Sequence, residues 1–433
     1  MSPEALRVQR TYWLLTLTAT LATSCIWGIN TLFLLDAGLD NTGAFAANAF
    51  FTVGQVLFEI PTGVVADTWG RRTSYLLGAA TLLATTLIYF AMWKFRAPLL
   101  GWALASILMG LGFTFFSGAT EAWLADALAH TGARDRLDAV MARGQAFSGA
   151  AMLIGSAAGG FVAQAGDLGT PYLIRSALLA LTFAAALVFM RDLGFQPRRE
   201  AAVRELRRLL HTSIEGGLRN PPVRWLMLAQ LFTGGVGIYA FYALQPHLLA
   251  LYGDKNAYSV AGLAAAVVAG TEILAGFLGP LVRRSFSRRT DLIAFATAIS
   301  VICLGLLAWT SRFSFAVGLL IVWALAFSIV RPMRQAYING LIPSQQRATI
   351  LSFDNLMASA GGVVSQPALG RLADMAGYPA AFLASGALQA AALPFIALAR
   401  REKAPSDSTR APEATSIAAP ESTARSDGDP TGN

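Results

Sequence analysis

The chain has 433 residues, of which 55% are apolar and only 13% carry charge. A soluble domain of this size normally carries about twice that share of charge, so the composition excludes an ordinary soluble enzyme and favours an integral membrane protein. The formal net charge of +8 does not indicate nucleic-acid binding, because the basic residues lie at the ends of apolar segments and form no basic and aromatic patch.

Apolar runs broken by charges and by Gly/Pro clusters predict twelve membrane-spanning helices. In chain order they are residues 11–35, 43–66, 73–93, 98–127, 138–165, 171–190, 223–251, 257–282, 290–310, 313–336, 348–370 and 378–399. We read the first of them as a retained helix rather than a signal peptide, because it is long and lacks a cleavage site of small residues. The predicted fold class is therefore an all-α membrane protein with twelve transmembrane helices.

The spans fall into two groups of six, separated by a polar segment. We predict a first six-helix bundle at 1–190, a linker at 191–222 with a cationic surface helix, a second six-helix bundle at 223–400, and a tail at 401–433. The tail is rich in Ser, Thr, Pro and Glu and has no apolar period, which predicts disorder.

Basic residues lie on alternate loops. The side that holds the N terminus collects most of the arginines, and the opposite side keeps only Lys94, Arg96, Lys255, Arg312 and Arg371. By the positive-inside rule, both termini are expected to be cytoplasmic. Frequent Ala, and Arg in preference to Lys, favour a bacterial cytoplasmic membrane.

The two groups of spans repeat each other in sequence. Three matches lie in corresponding helices at nearly one offset: Glu59 to Gly63 with Glu272 to Gly276 (213 residues), Phe116 with Phe327 (211 residues), and Arg136 with Arg347 (211 residues). Two bundles in parallel orientation imply a pseudo-two-fold axis along the membrane normal, with a central cavity between them.

The loop between spans two and three reads Gly63-Val-Val-Ala-Asp67-Thr-Trp-Gly70-Arg71-Arg72. Small Gly63 permits close helix approach, Asp67 lies unfavourably at the C-terminal end of its own helix dipole, and Gly70 permits a tight turn. The two arginines can pair with acids at neighbouring helix ends, and Asp126 at the end of span four is the candidate partner. The second half has Pro280 at the position of Asp67.

This loop resembles the signature loop of the major facilitator superfamily, and the resemblance extends over about residues 10–400. It implies a secondary transporter that works by alternating access, closest in character to bacterial drug and metabolite efflux members. It also implies that Asp67 lies against the start of span eleven.

A second motif is partly present in span five, which contains Gly155-Ser156-Ala-Ala-Gly159-Gly160. The segment is similar to the Gly-Pro-x-x-Gly-Gly of antiporter members, with Ser156 in place of Pro, and this favours export. Ordinary small-residue helix packing is the alternative interpretation. The Arg that drug–proton antiporters carry in span four is missing, since residues 107–109 are Ile, Leu and Met.

Ionisable residues inside membrane spans are costly and mark candidate functional sites. The six in question are Glu59, Glu121, Arg143, Glu272, Arg331 and Asp354. The repeat aligns Arg143 with Asp354 and sets Glu121 beside the position of Arg331. We therefore predict that these two pairs form a gate that closes on the cytoplasmic side, with permanent structural pairing as the alternative.

The three glutamates are candidates for proton coupling, because a buried carboxylate binds protons more tightly. Hydrogen bonding to helix backbones or exposure to lipid headgroups is the alternative. Spans one, four, seven and ten line the cavity in the family that the chain resembles. Their candidate substrate contacts are Asn30, Gln230, Tyr239, Tyr242, Gln245 and Trp323.

The sequence contains neither of the two enzyme motifs that a chain of this composition could carry, a phosphate-binding loop or a histidine metal site. None of the three lysines follows a glycine, which excludes the Gly-Lys-Ser/Thr phosphate loop, and the histidines are too scattered for a metal site. We predict no metal and no cofactor, and a monomer whose partners are a small molecule, protons and the bilayer. The functional hypotheses are proton-coupled export of small amphipathic compounds, proton-coupled uptake of a metabolite, and a non-transporting sensor or assembly factor.

Overall fold

The structure is a computed structural model that describes residues 2–116, 118–197 and 214–409. The predicted surface helix of the linker and most of the predicted disordered tail lie outside these residues. Cys25 and Cys303 are both buried and free.

The described residues form fourteen α-helices and no β-strand. In chain order they are α1 (Pro3–Trp27), α2 (Asn30–Asp36), α3 (Asn41–Trp69), α4 (Arg71–Phe95), α5 (Leu99–Phe116), α6 (Ala119–His130), α7 (Leu137–Ala165), α8 (Thr170–Phe189), α9 (Pro221–Tyr252), α10 (Tyr258–Arg284), α11 (Arg289–Trp309), α12 (Phe313–Asn339), α13 (Arg347–Ala390) and α14 (Ala392–Arg401).

These helices account for the twelve predicted spans. Helices α1 and α2 form one crossing with a 50° bend, and the segment Leu99–His130 forms another from α5 and α6. The segment Thr349–Arg401 has 53 residues, which at 1.5 Å per residue is more than twice the length of one crossing. It turns at Gly377, whose φ of 82° and ψ of 166° are not helical, so it contains spans eleven and twelve.

The two ends of the bundle differ in how the halves meet. We call the end where α1 begins and α14 ends the terminal face, and the opposite end the distal face. At the distal face, apolar clusters combine both halves: Phe45 packs with Tyr239 in one, and Leu249 and Ala261 join first-half residues in the other. The two remaining large clusters each contain residues of one half alone. The large apolar clusters therefore join the halves at the distal face, whereas those at the terminal face do not.

An aspartate that follows each bundle caps the third crossing of that bundle. The Asp192 Oδ1 accepts a hydrogen bond from the Arg72 N–H (2.8 Å) at the start of α4. The Asp407 Oδ1 accepts one from the Thr290 N–H (2.8 Å) at the start of α11, and its Oδ2 accepts one from the Thr290 hydroxyl. A carboxylate at a helix N terminus satisfies free N–H groups and the helix dipole, so each bundle is tied to its own following segment.

Candidate functional site

A cavity of about 270 Å³ lies between the two halves. Aromatic rings form much of its wall, and the Trp27 and Phe241 rings stack across the halves with centroids 4.2 Å apart. The aromatic lining residues are Trp27, Phe51, Phe241, Tyr242, Trp323 and Phe327, and the polar ones are Asn48, Thr52, Gln55, Glu272 and Ser328. Such a wall can bind a flat apolar body and a few polar groups.

A second cavity of about 70 Å³ adjoins the first, and the two share Trp27, Asn48, Phe51 and Tyr242 in their walls. The Asn30 Nδ2 donates to the Asn48 Oδ1 (2.9 Å), and the Tyr172 hydroxyl donates to the Asn30 Oδ1 (3.0 Å). This cavity is also lined by Arg175, a buried cation in α8. Sequence reasoning missed Arg175, although an arginine inside an apolar span is itself a signal of a site.

Three of the six predicted cavity contacts line these cavities, namely Asn30, Tyr242 and Trp323. Tyr239 lies outside both walls in this conformation, where it packs on Phe45 and donates its hydroxyl to the Leu369 carbonyl (3.3 Å). Gln230 also lies outside both walls and accepts a hydrogen bond from the Thr233 hydroxyl (3.0 Å). The four chosen spans do line the cavities, but spans two and eight also contribute, and sequence alone did not give the face that each helix turns to the cavity.

Gln245 was predicted as a substrate contact, but its side-chain amide forms hydrogen bonds with two backbone groups of the first half. Its Nε2 donates to the Trp27 carbonyl (2.9 Å), and its Oε1 accepts from the Thr31 N–H (3.0 Å). These two backbone groups lie on either side of the break between α1 and α2. Gln245 therefore replaces the helical hydrogen bonds that the bend removes, and it joins the halves.

The distal face is closed by two helix caps that cross between the halves. The Asp374 carboxylate of α13 accepts hydrogen bonds from the backbone N–H groups of Asn41 and Thr42, at 2.9 and 2.8 Å, and from both of their side chains. On the other side, the Gln164 Oε1 of α7 accepts from the backbone N–H (3.1 Å) and the hydroxyl (3.0 Å) of Ser259. Each cap satisfies the first turn of a helix in the opposite half.

The glycines of span five pack closely against other helices. A Cβ on Gly160 would lie 2.7 Å from the Cα of Gly262 in α10, and a Cβ on Gly155 or Gly159 would overlap Ser24 or Cys25 in α1. Close backbone approach is the usual role of small residues between membrane helices. Packing alone therefore accounts for these glycines, and they carry no independent information on the direction of transport.

On the terminal face, Asp354 and Arg143 are not paired in this conformation, and their pairing in a state closed on the cytoplasmic side stays a prediction. Asp354 instead forms a bidentate ion pair with Arg334 of α12, and both side chains are buried. Arg143 is exposed and lies over the Trp13 ring. Arg334 lies on the preceding helix of the same half, a partner that equivalence between the halves does not predict.

The second predicted pair is also absent from this conformation. Glu121 faces Tyr12 of its own half, and Glu272 faces Arg331 within the second half. Glu59 lies within hydrogen-bonding reach of Ser352 in the opposite half. These charged side chains are exposed, and each charge that was predicted to pair across the interface contacts its own half.

The arginines of the signature loop contact acidic side chains and a backbone carbonyl of their own half. Arg71 forms an ion pair with Asp67 (2.5 Å) and lies 3.9 Å from Asp126, the partner predicted for the loop. Gly70 has a φ of 104°, which favours glycine and lets α4 follow α3 directly. The Arg72 Nη2 donates to the Leu187 carbonyl (2.7 Å).

Two expectations for this loop are not met. Among the described residues, the ion pair of Asp67 is with Arg71 and not with the start of span eleven. No described residue of another helix lies within 4 Å of the position that a Cβ on Gly63 would take, so no described helix approaches closely there in this conformation.

Twelve crossings in two six-helix bundles, with a cavity between them that is closed at one face, define a secondary transporter. The family model for the Major Facilitator Superfamily matches residues 12–284 and 256–428. The chain belongs to this superfamily, and it is a transporter rather than an enzyme.

Solved structures of several transporters have the same fold. The nucleoside transporter NupG is 12% identical, with a TM-score of 0.73, and the match covers 92% of this chain and 99% of that one. The POT family transporter PepTSo is 13% identical (TM-score 0.73, 92% and 98%), and a D-xylose–proton symporter is 16% identical (TM-score 0.63, 90% and 96%). No curated protein matches the chain significantly.

Proposed function

We propose that this chain carries small amphipathic organic compounds across the membrane together with protons, through the cavity between its halves. The observation that carries the proposal is Glu272, the one carboxylate in the wall of the larger cavity, among six aromatic rings. We place the terminal face in the cytoplasm of a bacterium because that side holds most of the arginines, and we take the working unit to be a monomer.

Glu272 can couple a proton to the cargo through simple electrostatics. A charged carboxylate keeps water in the cavity and disfavours the burial of an apolar or anionic compound beside it. Protonation removes that charge, so that proton and cargo bind together. Arg331 faces Glu272 and offers the carboxylate a counter-charge once the cargo has left. This order of events gives cotransport, and the proton gradient then drives uptake.

Export in exchange for protons is the second candidate, because an exposed carboxylate among aromatic rings can also bind a cation. It would apply to a cationic cargo, which competes with a proton for Glu272. Among the similar structures, the D-xylose transporter is described as a proton symporter, and the others are described by a nucleoside or a family.

Oriented membrane vesicles that contain the protein separate these candidates. Vesicles are incubated in a bacterial metabolite extract with a proton gradient, and their contents are compared by mass spectrometry with those of Glu272→Gln vesicles. Accumulation in right-side-out vesicles that are acidic outside supports cotransport. Accumulation in everted vesicles that are acidic inside supports export. No difference in either would favour a non-transporting sensor or assembly factor.

A further inference from the structure

Arg175 is a buried cation without a counter-ion. Its side chain is 2% exposed, and it lies five residues after the start of α8 at the distal end. The Nε donates to the Thr86 hydroxyl (3.0 Å), while the Nη2 is buried and has no partner among the described residues. The groups that face the guanidinium are Tyr172, Tyr89, Cys25 and Tyr242, none of which is a carboxylate.

Arg334, the other deeply buried arginine among the described residues, has a carboxylate partner. Arg334 is 5% exposed and forms two hydrogen bonds to the carboxylate of Asp354. Burying a charge is unfavourable unless it is paired, and buried pairs are the usual structural solution. Among the described residues, Arg175 lacks that solution, so its burial reduces folding stability without a compensating carboxylate.

The position of Arg175 shows where a partner could bind. Arg175 lines the smaller cavity, together with Asn30, Tyr89 and Tyr242, which can all offer hydrogen-bond donors. This cavity adjoins the aromatic cavity through shared walls, including Trp27 and Asn48. A compound in the aromatic cavity can therefore extend one small polar group to Arg175.

We propose that Arg175 binds a carboxylate carried by the transported compound. A guanidinium presents its N–H groups in a planar fork that matches the two oxygens of a carboxylate. The single positive charge balances one negative charge, whereas a phosphate dianion would leave one buried charge unbalanced. The inference rests on the proposed function in one respect: the anion that binds here is part of the cargo.

Binding of small anions to the purified protein tests this site without any gradient or transport. The melting temperature is measured in acetate, chloride and gluconate salts at equal ionic strength, since gluconate is too large for the smaller cavity. Acetate is expected to raise the melting temperature of the wild type by about 2 °C or more, in a saturating manner, relative to gluconate. Arg175→Met should lose this difference, and Arg312→Met, at an exposed loop arginine, should keep it.

A larger probe pair tests the connection between the two cavities. N-acetyltryptophan and its neutral amide differ only in the carboxylate. The wild type should bind the acid at least about tenfold more tightly than the amide, and Arg175→Met should bind both alike. Arg175→Lys should show intermediate discrimination, because it keeps the charge and loses the fork.

Four outcomes would overturn the proposal. The first is a rise in melting temperature in acetate that is equal in the wild type and in Arg175→Met. The second is a rise in chloride as large as that in acetate, which would indicate a halide site. The third is a preference of the wild type for the amide or for neither probe. The fourth is a ligand-free Arg175→Met that melts several degrees below the wild type or does not fold, because Arg175 would then be structural. Failure of the vesicle experiment would leave these binding results unaffected.

Discussion

Asp374 and Gln164 lie within one residue of equivalent positions in the two halves, 210 residues apart (374 against 164) where the repeat has an offset of 211, and each caps the first turn of a helix in the opposite half. The equivalence extends to their partners, because Asn41 and Thr42 begin the second crossing of one half and Ser259 begins that of the other. The distal face is therefore closed by a symmetric pair of contacts, one charged and one neutral.

The charged cap should hold the distal face more strongly than the neutral one. We expect Asp374→Ala to reduce the stability of the closed distal face by about 1 kcal/mol, the usual effect of losing a helix cap at an exposed position. The population that is open at this face would then rise about fivefold. The measurement is the distance distribution between spin labels on Arg96 and Arg312, which lie on distal loops of opposite halves. Asp374→Asn keeps a capping oxygen and should change the distance distribution less. Equal effects of Asp374→Ala and Asp374→Asn would contradict a role of Asp374 as the helix cap.

The buried pair of Arg334 and Asp354 should behave as a structural unit. Removing one member, in Arg334→Met or Asp354→Leu, leaves an unpaired buried charge and should destabilise the protein by about 3 kcal/mol or more. The double variant should recover most of this loss. Thermal unfolding in detergent measures both effects. A double variant as unstable as the sum of the single ones would show that the two residues do not depend on each other.

The same pair shows what the sequence could and could not predict. Hydropathy, the internal repeat and the signature loop gave the twelve crossings and the two bundles, because these depend on periodicity along one chain. They did not give the partner of Asp354, because Arg334 and Arg143 are both plausible until the helices are packed. Arg175 was within reach of sequence reasoning as a charge in an apolar span, but its lack of a partner is visible only in three dimensions.

The glutamates of the repeat should differ in function, although they are equivalent in sequence. Glu272 lines the larger cavity, whereas Glu59 lies outside the walls of both described cavities. Glu272→Gln should therefore abolish gradient-driven accumulation and retain binding of the cargo. Glu59→Gln, the matched control, should keep its dependence on the gradient. Loss of coupling in Glu59→Gln alone would move the proton site to the first half.

The cap at Asp192 should make stability depend on pH. Burial raises the pKa of the Asp192 carboxyl, against the opposing effect of the Arg72 and Arg71 N–H groups and charges. A raised folded-state pKa gives stability that is fully present below the unfolded pKa, near 4, and is lost as the pH rises through the folded pKa. Asp192→Asn should remove this dependence and keep the cap, whereas Asp192→Ala should lose about 1 kcal/mol.

Melting temperatures of the three proteins between about pH 4 and pH 7 provide the test. The difference between the wild type and Asp192→Asn should grow in favour of the variant as the pH rises. A wild type that gains stability relative to Asp192→Asn over this interval would contradict the stated direction of the pKa shift.

The central claim is that one cavity is exposed to each face in turn. It is tested most directly by the reaction of Gln55→Cys, on the cavity wall, with a membrane-impermeant maleimide added to either side of oriented vesicles. Because helix caps and apolar clusters join the halves at the distal face, labelling should be about tenfold faster from the terminal face. Labelling from the distal face should be slow in the parent protein and faster when Asp374→Ala is added. It should be absent when a disulfide between Gln164→Cys and Ser259→Cys holds that face closed. Equal rates from both faces would indicate an open pore, and no distal labelling in any variant would indicate a static protein; either result would contradict alternating access.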